Sequence, residues 1–216
     1  MQTLFRWKEH HVLAMLPHGW QEAISQLVAT HAIKQTLVPT SFTSRERSGT
    51  ITIPTIIVSG EDVQEQLPWL YTLYETDFKQ LGEEYVGEPL VIARGVHHGA
   101  VINVQKGLNM RYECHVDSNP LQGLLYVTTH REGQGGELVM SNNSQARGPE
   151  EIEEDCVRIY PQSGTLLLFD GRQFPHFVTS LTRSEDVRIA VAMNYYTARC
   201  PESLRPEDLD RHLGLG

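Results

Sequence analysis

The sequence predicts an α+β fold that is mainly β, with a double-stranded β-helix (jelly-roll) core braced by amino-terminal helices. Two observations favour this fold. Apolar residues recur at helical spacing early in the chain, and from residue 89 onward short apolar runs separated by turn residues replace them. About eight closely spaced strands that follow two helices are typical of an antiparallel double sheet.

A single domain is expected, because the 216 residues contain no linker, repeat or low-complexity segment that would divide them. The change in pattern divides this domain into helical support over about 1–87, the jelly-roll core over about 88–197 and a carboxy-terminal tail over 198–216. The core therefore comprises about half of the chain.

The first helix is expected in "GWQEAISQLVATHA", whose apolar positions share one face: Trp20, Ala23, Ile24, Leu27 and Val28. His31, near its end, is interpreted as a capping or packing residue. A strand or hairpin near the site is expected in "SGTITIPTIIVSGED", because Ile51 and Ile53 alternate with threonine.

A second helix is expected from about Pro68 to Leu81. Pro68 suits its first turn and Gly82 suits its end. Its buried stripe would consist of Leu70, Leu73, Tyr74, Phe78 and Leu81.

The strands of the core are expected in the short apolar runs, which are "LVIA", "AVINV", "MRYECHV", "GLLYVTT", "ELVMS", "VRIY", "TLLLF", "HFVTSL" and "VRIAVAMNYY". The glycines of "EGQGGE" at 132–137 indicate a tight turn between two of them. The polar stretch at 141–155 is interpreted as a mobile loop at the mouth of the barrel, and its acidic cluster at 149–155 as a solvated surface.

Composition excludes several classes of function. The formal net charge is −9 and no basic run is present, so we expect no nucleic-acid partner. No apolar stretch is long enough to span a membrane, and the amino terminus lacks the order of a secretory signal. The three cysteines form neither a CxxC pair nor an even disulfide set, so a reducing cytoplasm is the expected location.

The candidate metal ligands are His115, Asp117 and His176. His115 and Asp117 stand two residues apart, so on an extended strand they would point to the same side. Two imidazoles and one carboxylate form the facial triad of non-haem Fe(II) oxygenases, which leaves coordination positions open for reactants. Taken together, these three residues predict an iron site that is also the catalytic centre.

Arg188 is the candidate anchor for an anionic ligand. It opens an apolar run 12 residues after His176, and a fixed guanidinium there could hold a carboxylate through two hydrogen bonds. The alternative is an arginine on the sheet face that pairs with Glu185 or Asp186. A buried dicarboxylate needs a charged partner, and this favours the first role.

The ordered motifs resemble the Fe(II)/2-oxoglutarate dioxygenase superfamily, and within it the compact prolyl-hydroxylase-like group. The resemblance rests on "HVD" at 115–117, "GGELVMS" at 135–141, "PQSGTLLLFDGRQFPHFV" at 161–178 and "RIAVAMNYY" at 188–196, and covers about residues 88–197. It implies that the chain uses Fe(II), O2 and the co-substrate 2-oxoglutarate, which Arg188 would bind. The acid at position 117 favours hydroxylation, because related halogenases have a small residue there.

Further side chains are candidate ligand contacts. Tyr126 could donate its hydroxyl to 2-oxoglutarate, although packing in the core is the alternative for an aromatic residue on a strand. The family commonly has a hydrogen-bonding side chain on the strand before HxD, and this chain offers Gln105, Asn103 or Tyr112 there. We assign Gln105 to the co-substrate, and Tyr112, Asn103 and Arg172 to the substrate.

Two other chemically suggestive features are interpreted as structural. His97 and His98 are adjacent, so they would point in opposite directions on a strand and not share one ion; we expect them in a turn, with one at the substrate mouth. Cys114 should face away from the metal by the same alternation.

The expected function is hydroxylation of an unactivated C–H bond in a small molecule, such as an amino acid or a natural-product intermediate. A prolyl-type hydroxylase of protein residues, with a peptide as substrate, is the alternative. A non-catalytic cupin-like metal-binding or sugar-binding module is a third possibility, but cupins usually carry an HxH pair and a nearby glutamate. Substrate is expected to enter between the amino-terminal half, the 141–155 loop and the segment around Arg172.

Overall fold

The computed structural model describes residues 7–39, 41–47 and 51–214. Their helices are α1 (Trp20–His31), α2 (Gly60–Gln66), α3 (Pro68–Glu75), α4 (Asp77–Val86), α5 (Gly148–Glu154) and α6 (Leu209–His212). Their strands are β1 (Trp7–His11), β2 (Ile33–Leu37), β3 (Ile53–Val58), β4 (Val91–Ile92), β5 (Ala100–Lys106), β6 (Leu121–Tyr126), β7 (Leu138–Ser141), β8 (Cys156–Ile159), β9 (Thr165–Phe169), β10 (His176–Val178) and β11 (Val187–Tyr196). None of the helices in these ranges is long and apolar enough to cross a membrane.

Two antiparallel sheets form the core. The larger has the order β1-β9-β6-β11-β5-β3-β2, with β4 added beside β11, and the smaller has the order β10-β7-β8. Apart from β2 and β3, neighbouring strands in the larger sheet are not consecutive in sequence, as the crossovers of a jelly roll require. The predicted fold class is confirmed.

The two faces of the larger sheet have different roles. On β11, Ile189, Val191 and Met193 pack into the main apolar cluster together with the helices. Arg188 and Asn194 belong to the opposite face, which lines a cavity. This follows from the period of two along a strand, and it separates the helix-supported core from the site.

The first predicted helix is confirmed as α1, whose Trp20, Ile24 and Leu27 are buried. The second predicted helix is wrong in its end. It is broken at Thr76 between α3 and α4, and it continues through Gly82 to Val86, where Gly87 adopts a φ of 72°.

Gly82 is required for packing inside α4 and does not end the helix. A Cβ at this position would lie 2.7 Å from the Leu90 side chain and 2.8 Å from that of Leu121. The side chains of the core therefore come closer to this helix than any other residue type would allow.

Several strands differ from prediction. β1 and β2 were not expected, and both are edge strands of the larger sheet with few buried residues. The strand predicted around Ile53 is confirmed as β3, although residues 48–50 of that pattern lie outside the described ranges. The strand predicted in "MRYECHV" is wrong, because only His115 forms bridges there, to Ser44 and His176.

The predicted loop at 141–155 is a second correction. It contains α5, and Ala146 and Ile152 are fully buried in a cluster with Cys114 and Phe177. Most residues of this stretch are polar, so the sequence pattern did not reveal that Ala146 and Ile152 pack into the core. The segment packs beside the residues that precede His115 and does not line the cavity.

Candidate active site

The cavity lies at the inner face of the larger sheet. Its walls come from β2, β3, β5, β6, β10, β11, the irregular segment 112–119 and the carboxy-terminal segment 205–213. Rigid strands thus supply most of the wall, and two irregular segments complete it.

His115, Asp117 and His176 converge in this cavity. His115 Nε2 lies 3.5 Å from Asp117 Oδ1, and His176 Nε2 lies 3.8 Å from Asp117 Oδ2. One ligand atom from each residue lies within 4.8 Å of the other two. This spacing suits three ligands around one ion, and Asp117 Oδ2 is a buried oxygen with no hydrogen-bond partner among the described residues.

Backbone contacts fix the orientation of both imidazoles. Nδ1 of His115 lies 2.8 Å from the Glu113 carbonyl oxygen, and Nδ1 of His176 lies 3.1 Å from that of Phe174. When Nδ1 carries the hydrogen and donates it, Nε2 presents its lone pair. Reciprocal backbone hydrogen bonds of 3.0 and 2.9 Å between His115 and His176 hold the two rings on facing segments.

The three groups shift one another's pKa. Burial opposes protonation of His115, but the Asp117 carboxylate outweighs it and raises the pKa of His115 to about 9. Burial, together with the charge of His115, lowers the pKa of His176 to about 4. Burial also opposes ionisation of Asp117, but His176 and His115 outweigh it and lower the pKa of that carboxyl. A divalent cation requires an ionised carboxylate and two neutral imidazoles, so its binding here would release the proton that Asp117 stabilises on His115.

Gly171 was not predicted from the sequence, yet its lack of a side chain makes room for the triad. A Cβ there would lie 2.0 Å from Asp117 Oδ2 and 2.7 Å from His176 Cε1. The Gly171 carbonyl also accepts a 3.0 Å hydrogen bond from the Asp117 amide. The only signal in the sequence was a glycine five residues before His176.

Arg188 is buried beside the triad without an acidic partner. It is 1% exposed, and its Nε and Nη2 have no hydrogen-bond partner in the described ranges. Burial lowers the pKa of Arg188. The alternative pairing with Glu185 or Asp186 is not observed, because Glu185 pairs with Arg183 and the inward-facing Asp186 Oδ2 has no partner there either. A buried guanidinium in this state fits a carboxylate ligand.

Two tyrosines surround this guanidinium. The ring centroid of Tyr126 lies 5.6 Å from Arg188 Cζ. The hydroxyls of Tyr126 and Tyr112 are buried, and neither has a hydrogen-bond partner in the described part of the chain. Burial raises the pKa of Tyr126 to about 12, so this hydroxyl stays a neutral donor. Tyr112 lines the cavity and Tyr126 does not, so Tyr112 is the tyrosine on the cavity wall that a ligand of Arg188 would meet.

Gln105 lies directly opposite Arg188 in the β5–β11 register and is fully buried. Its Nε2 donates to the Met110 and Thr179 carbonyls at 3.1 and 3.0 Å, whereas Oε1 has no described partner. Gln105 does not line the cavity itself. It ties the segment before HxD to the segment after β10, behind Arg188.

The predicted substrate residues separate into two groups. Asn103 and Tyr112 line the cavity. Arg172 does not, because its guanidinium pairs with Asp170 through contacts of 3.0 and 2.7 Å. Asp170, two residues away in the same loop, accepts the hydrogen bonds of the Arg172 guanidinium, so Arg172 is not part of the cavity wall.

The carboxy-terminal wall was not predicted. His212 is 3% exposed, and its Nε2 lies 2.7 Å from Glu113 Oε2. His98 lines the cavity from the end of a 3-10 turn and lies 2.7 Å from Asp210. The turn and a place at the cavity were expected for His98. A lone histidine in a polar tail, by contrast, gave no signal for His212.

Comparison with known proteins gives a family and a fold. The model of the 2OG-Fe(II) oxygenase superfamily matches residues 100–196. No curated protein matches the chain.

Solved structures are similar at low identity. A 2OG-Fe(II) oxygenase family oxidoreductase from Burkholderia pseudomallei has a TM-score of 0.60 and 12% identity, covering 88% of this chain and 84% of that one. HygX from Streptomyces hygroscopicus, solved with nickel and 2-oxoglutarate bound, has a TM-score of 0.58 and 14% identity, covering 89% of this chain and 83% of that one. A prolyl hydroxylase from Trichoplax adhaerens, in complex with a hypoxia inducible factor peptide, has a TM-score of 0.58 and 17% identity, covering 89% of this chain and 84% of that one. At such identities these structures share the fold.

Proposed function

We propose that this chain, which belongs to the 2OG-Fe(II) oxygenase superfamily, hydroxylates an unactivated C–H bond of a small molecule such as an amino acid or a natural-product intermediate. The superfamily uses Fe(II), 2-oxoglutarate and O2, so the chain is an enzyme of the dioxygenase type. The family match favours the enzyme over a cupin-like binding module. The site residues and the substrate class are our proposals.

The observation that carries the proposal is the juxtaposition of Arg188 with the triad in one cavity. His115, Asp117 and His176 would hold Fe(II). Arg188, whose donors have no described acceptor, would bind the distal carboxylate of 2-oxoglutarate, with Tyr126 or Tyr112 as a hydroxyl donor. When bound, iron and 2-oxoglutarate supply the oxidising power, and these side chains hold the reactants and exclude water.

A small molecule is favoured over a protein residue because a carboxy-terminal segment of the chain helps to enclose the cavity. Leu209, His212 and Leu213 line it from the carboxy-terminal segment, which Asp210 and His212 attach to the core. A peptide passing over the triad would have to displace this segment. A single side chain of a protein substrate that entered the cavity would also have to displace the carboxy-terminal segment.

Hydroxylation is favoured over halogenation by the acid at position 117. Solved structures of similar fold include the epimerase SnoN and the carbocyclase SnoK of nogalamycin biosynthesis, so the fold itself does not choose the outcome. A retained carboxylate occupies the position that halide needs in halogenases.

The test is Fe(II)-dependent conversion of 2-oxoglutarate to succinate, followed by a screen of amino acids, peptides and cell extracts for a mass gain of one oxygen. We expect succinate formation to rise when a small molecule is added. Conversion that needs no iron would refute the metal assignment, and oxygen gain in peptides alone would favour the protein hydroxylase.

A further inference from the structure

Glu113 is a buried acid in the cavity with one unsatisfied oxygen. It is 5% exposed and lines the cavity. Oε2 is held 2.7 Å from His212 Nε2, but Oε1 has no hydrogen-bond partner among the described residues. Leaving a buried carboxylate oxygen without a donor is unfavourable, so the folded chain presents an acceptor that is incomplete without a ligand.

The position of Glu113 connects it to the proposed reaction centre. Glu113, His115 and Asp117 all line the cavity, whereas the intervening Cys114 packs into an apolar cluster, as predicted for a residue facing away from the triad. The Glu113 backbone also contacts the triad, since its carbonyl oxygen lies 2.8 Å from His115 Nδ1. A group bound at Oε1 would therefore lie within a small molecule's length of the triad.

The other charged groups of the cavity have assigned or observed partners for at least part of their donors. Arg188 is assigned to 2-oxoglutarate, and Arg205 pairs with Asp210 through Nη2 at 3.1 Å, while its Nη1 has no hydrogen-bond partner among the described residues. His98 also contacts Asp210, at 2.7 Å. Glu113 is the acid on the cavity wall that is neither a proposed metal ligand nor paired with an arginine or lysine.

We propose that Glu113 binds a positively charged nitrogen of the substrate, and that the substrate is a small molecule carrying a protonated amine or a guanidinium. This inference rests on the proposed function and narrows its substrate class. His212 is a positioning residue, because it occupies Oε2 and turns Oε1 toward the ligand. Charge-assisted hydrogen bonds to a buried carboxylate give large discrimination against neutral analogues.

The experiment uses the enzyme loaded with Fe(II) and 2-oxoglutarate without oxygen, and measures ligand binding by calorimetry. The probes are L-arginine, L-citrulline, Nα-acetyl-L-arginine and Nα-acetyl-L-citrulline, with L-lysine and its two monoacetyl derivatives as a second series. Across each series the α-amine and the side-chain cation are neutralised separately, and Nα-acetyl-L-citrulline lacks both positive charges. We expect loss of one particular positive nitrogen to weaken binding by at least about 10-fold in both series.

Variants separate recognition from folding. Glu113→Gln should reduce the preference for the charged probe to less than about twofold, Glu113→Asp should retain part of it, and Glu185→Gln, at an exposed acid outside the cavity, should leave it unchanged. Fe(II) and 2-oxoglutarate affinities should be unchanged in all three.

Two results would overturn the inference: a wild-type enzyme without preference for charged probes, or a preference that survives in Glu113→Gln. If Glu113→Gln fails to fold, the wild-type series and Glu113→Asp still decide it. Failure of the wild type to bind 2-oxoglutarate would instead refute the proposed function.

Discussion

At the scale of single residues, replacing His176 is the most direct test of the proposed metal site. It is the only triad member on a strand of the smaller sheet, and burial lowers its pKa to about 4, so it is a neutral ligand at pH 7. His176→Ala should abolish Fe(II) binding and succinate formation, measured by metal titration and product analysis. His97→Ala, at a histidine that pairs with Glu61, is the control and should bind iron normally. Retention of both properties in the first variant would remove His176 from the metal site.

Arg188 should govern the co-substrate alone. Arg188→Ala should weaken 2-oxoglutarate binding by roughly 30-fold or more, because a buried charge pair loses one partner, while Fe(II) affinity changes little. Arg183→Ala, at an exposed arginine paired with Glu185, is the matched control. Equal 2-oxoglutarate affinity in the Arg188 variant and the parent would move the anchor elsewhere.

Gly171 tests how closely the backbone approaches the triad. In Gly171→Ala the new methyl group would overlap Asp117 Oδ2, so the carboxylate or the loop must move. We expect Fe(II) affinity to fall at least about 10-fold, as loss of a supporting contact does at metal sites. Gly95→Ala should have little effect, since its nearest neighbour would be 3.8 Å away. A normal metal titration for Gly171→Ala would contradict this account.

At the scale of elements, the segment before HxD is irregular and is held by an ion pair. Arg111 contacts both oxygens of Glu46, at 2.7 and 2.9 Å, and Oε1 also accepts from the Cys114 amide at 2.7 Å. These bonds replace the strand ladder that the pattern "MRYECHV" predicted. The partner segment around Glu46 is distant in sequence, so alternation of apolar residues could not reveal it.

The Glu46–Arg111 pair makes stability depend on pH. Burial opposes ionisation of Glu46, but Arg111 outweighs it and lowers the pKa of Glu46 below 4.5. A depressed folded-state pKa gives stability that is present above pH 4.5 and is lost as pH falls through the folded-state value. Glu46→Gln should lower the free energy of unfolding by roughly 1–3 kcal/mol at pH 7, measured by denaturant titration, because the half-buried Arg111 loses its charged partner.

The pH series provides the check on that explanation. The difference between parent and Glu46→Gln should narrow between pH 5 and pH 3, while Glu185→Gln, at an exposed acid, should follow the parent throughout. A constant difference over this range would show that the cost arises from packing rather than from charge.

For the whole molecule, the sequence predicted the jelly roll, the convergence of His115, Asp117 and His176, and the burial of Arg188 on one strand. These features depend on local alternation and on residue types that few other sites share. The carboxy-terminal wall was missed because Asp210 and His212 lie in a polar tail, and their contacts join residues about 100 positions apart. No local period encodes such a contact. The 141–155 segment was assigned to the mouth for the same reason.

Closure by the carboxy-terminal segment gives the last prediction. Because residues 205–213 line the cavity and are attached through Asp210 and His212, removing residues 205–216 should open the substrate side and leave the triad and Arg188 intact. We expect Fe(II) and 2-oxoglutarate affinities to stay within about threefold of the parent, while substrate-dependent succinate formation falls at least about 10-fold, since water exclusion and substrate contacts are lost. Removing only residues 214–216 is the control and should preserve turnover, because Gly214, the residue of this group that the structure describes, does not line the cavity. If the longer truncation turns over substrate like the parent, the segment has no part in recognition; if it no longer binds iron, the segment supports the core.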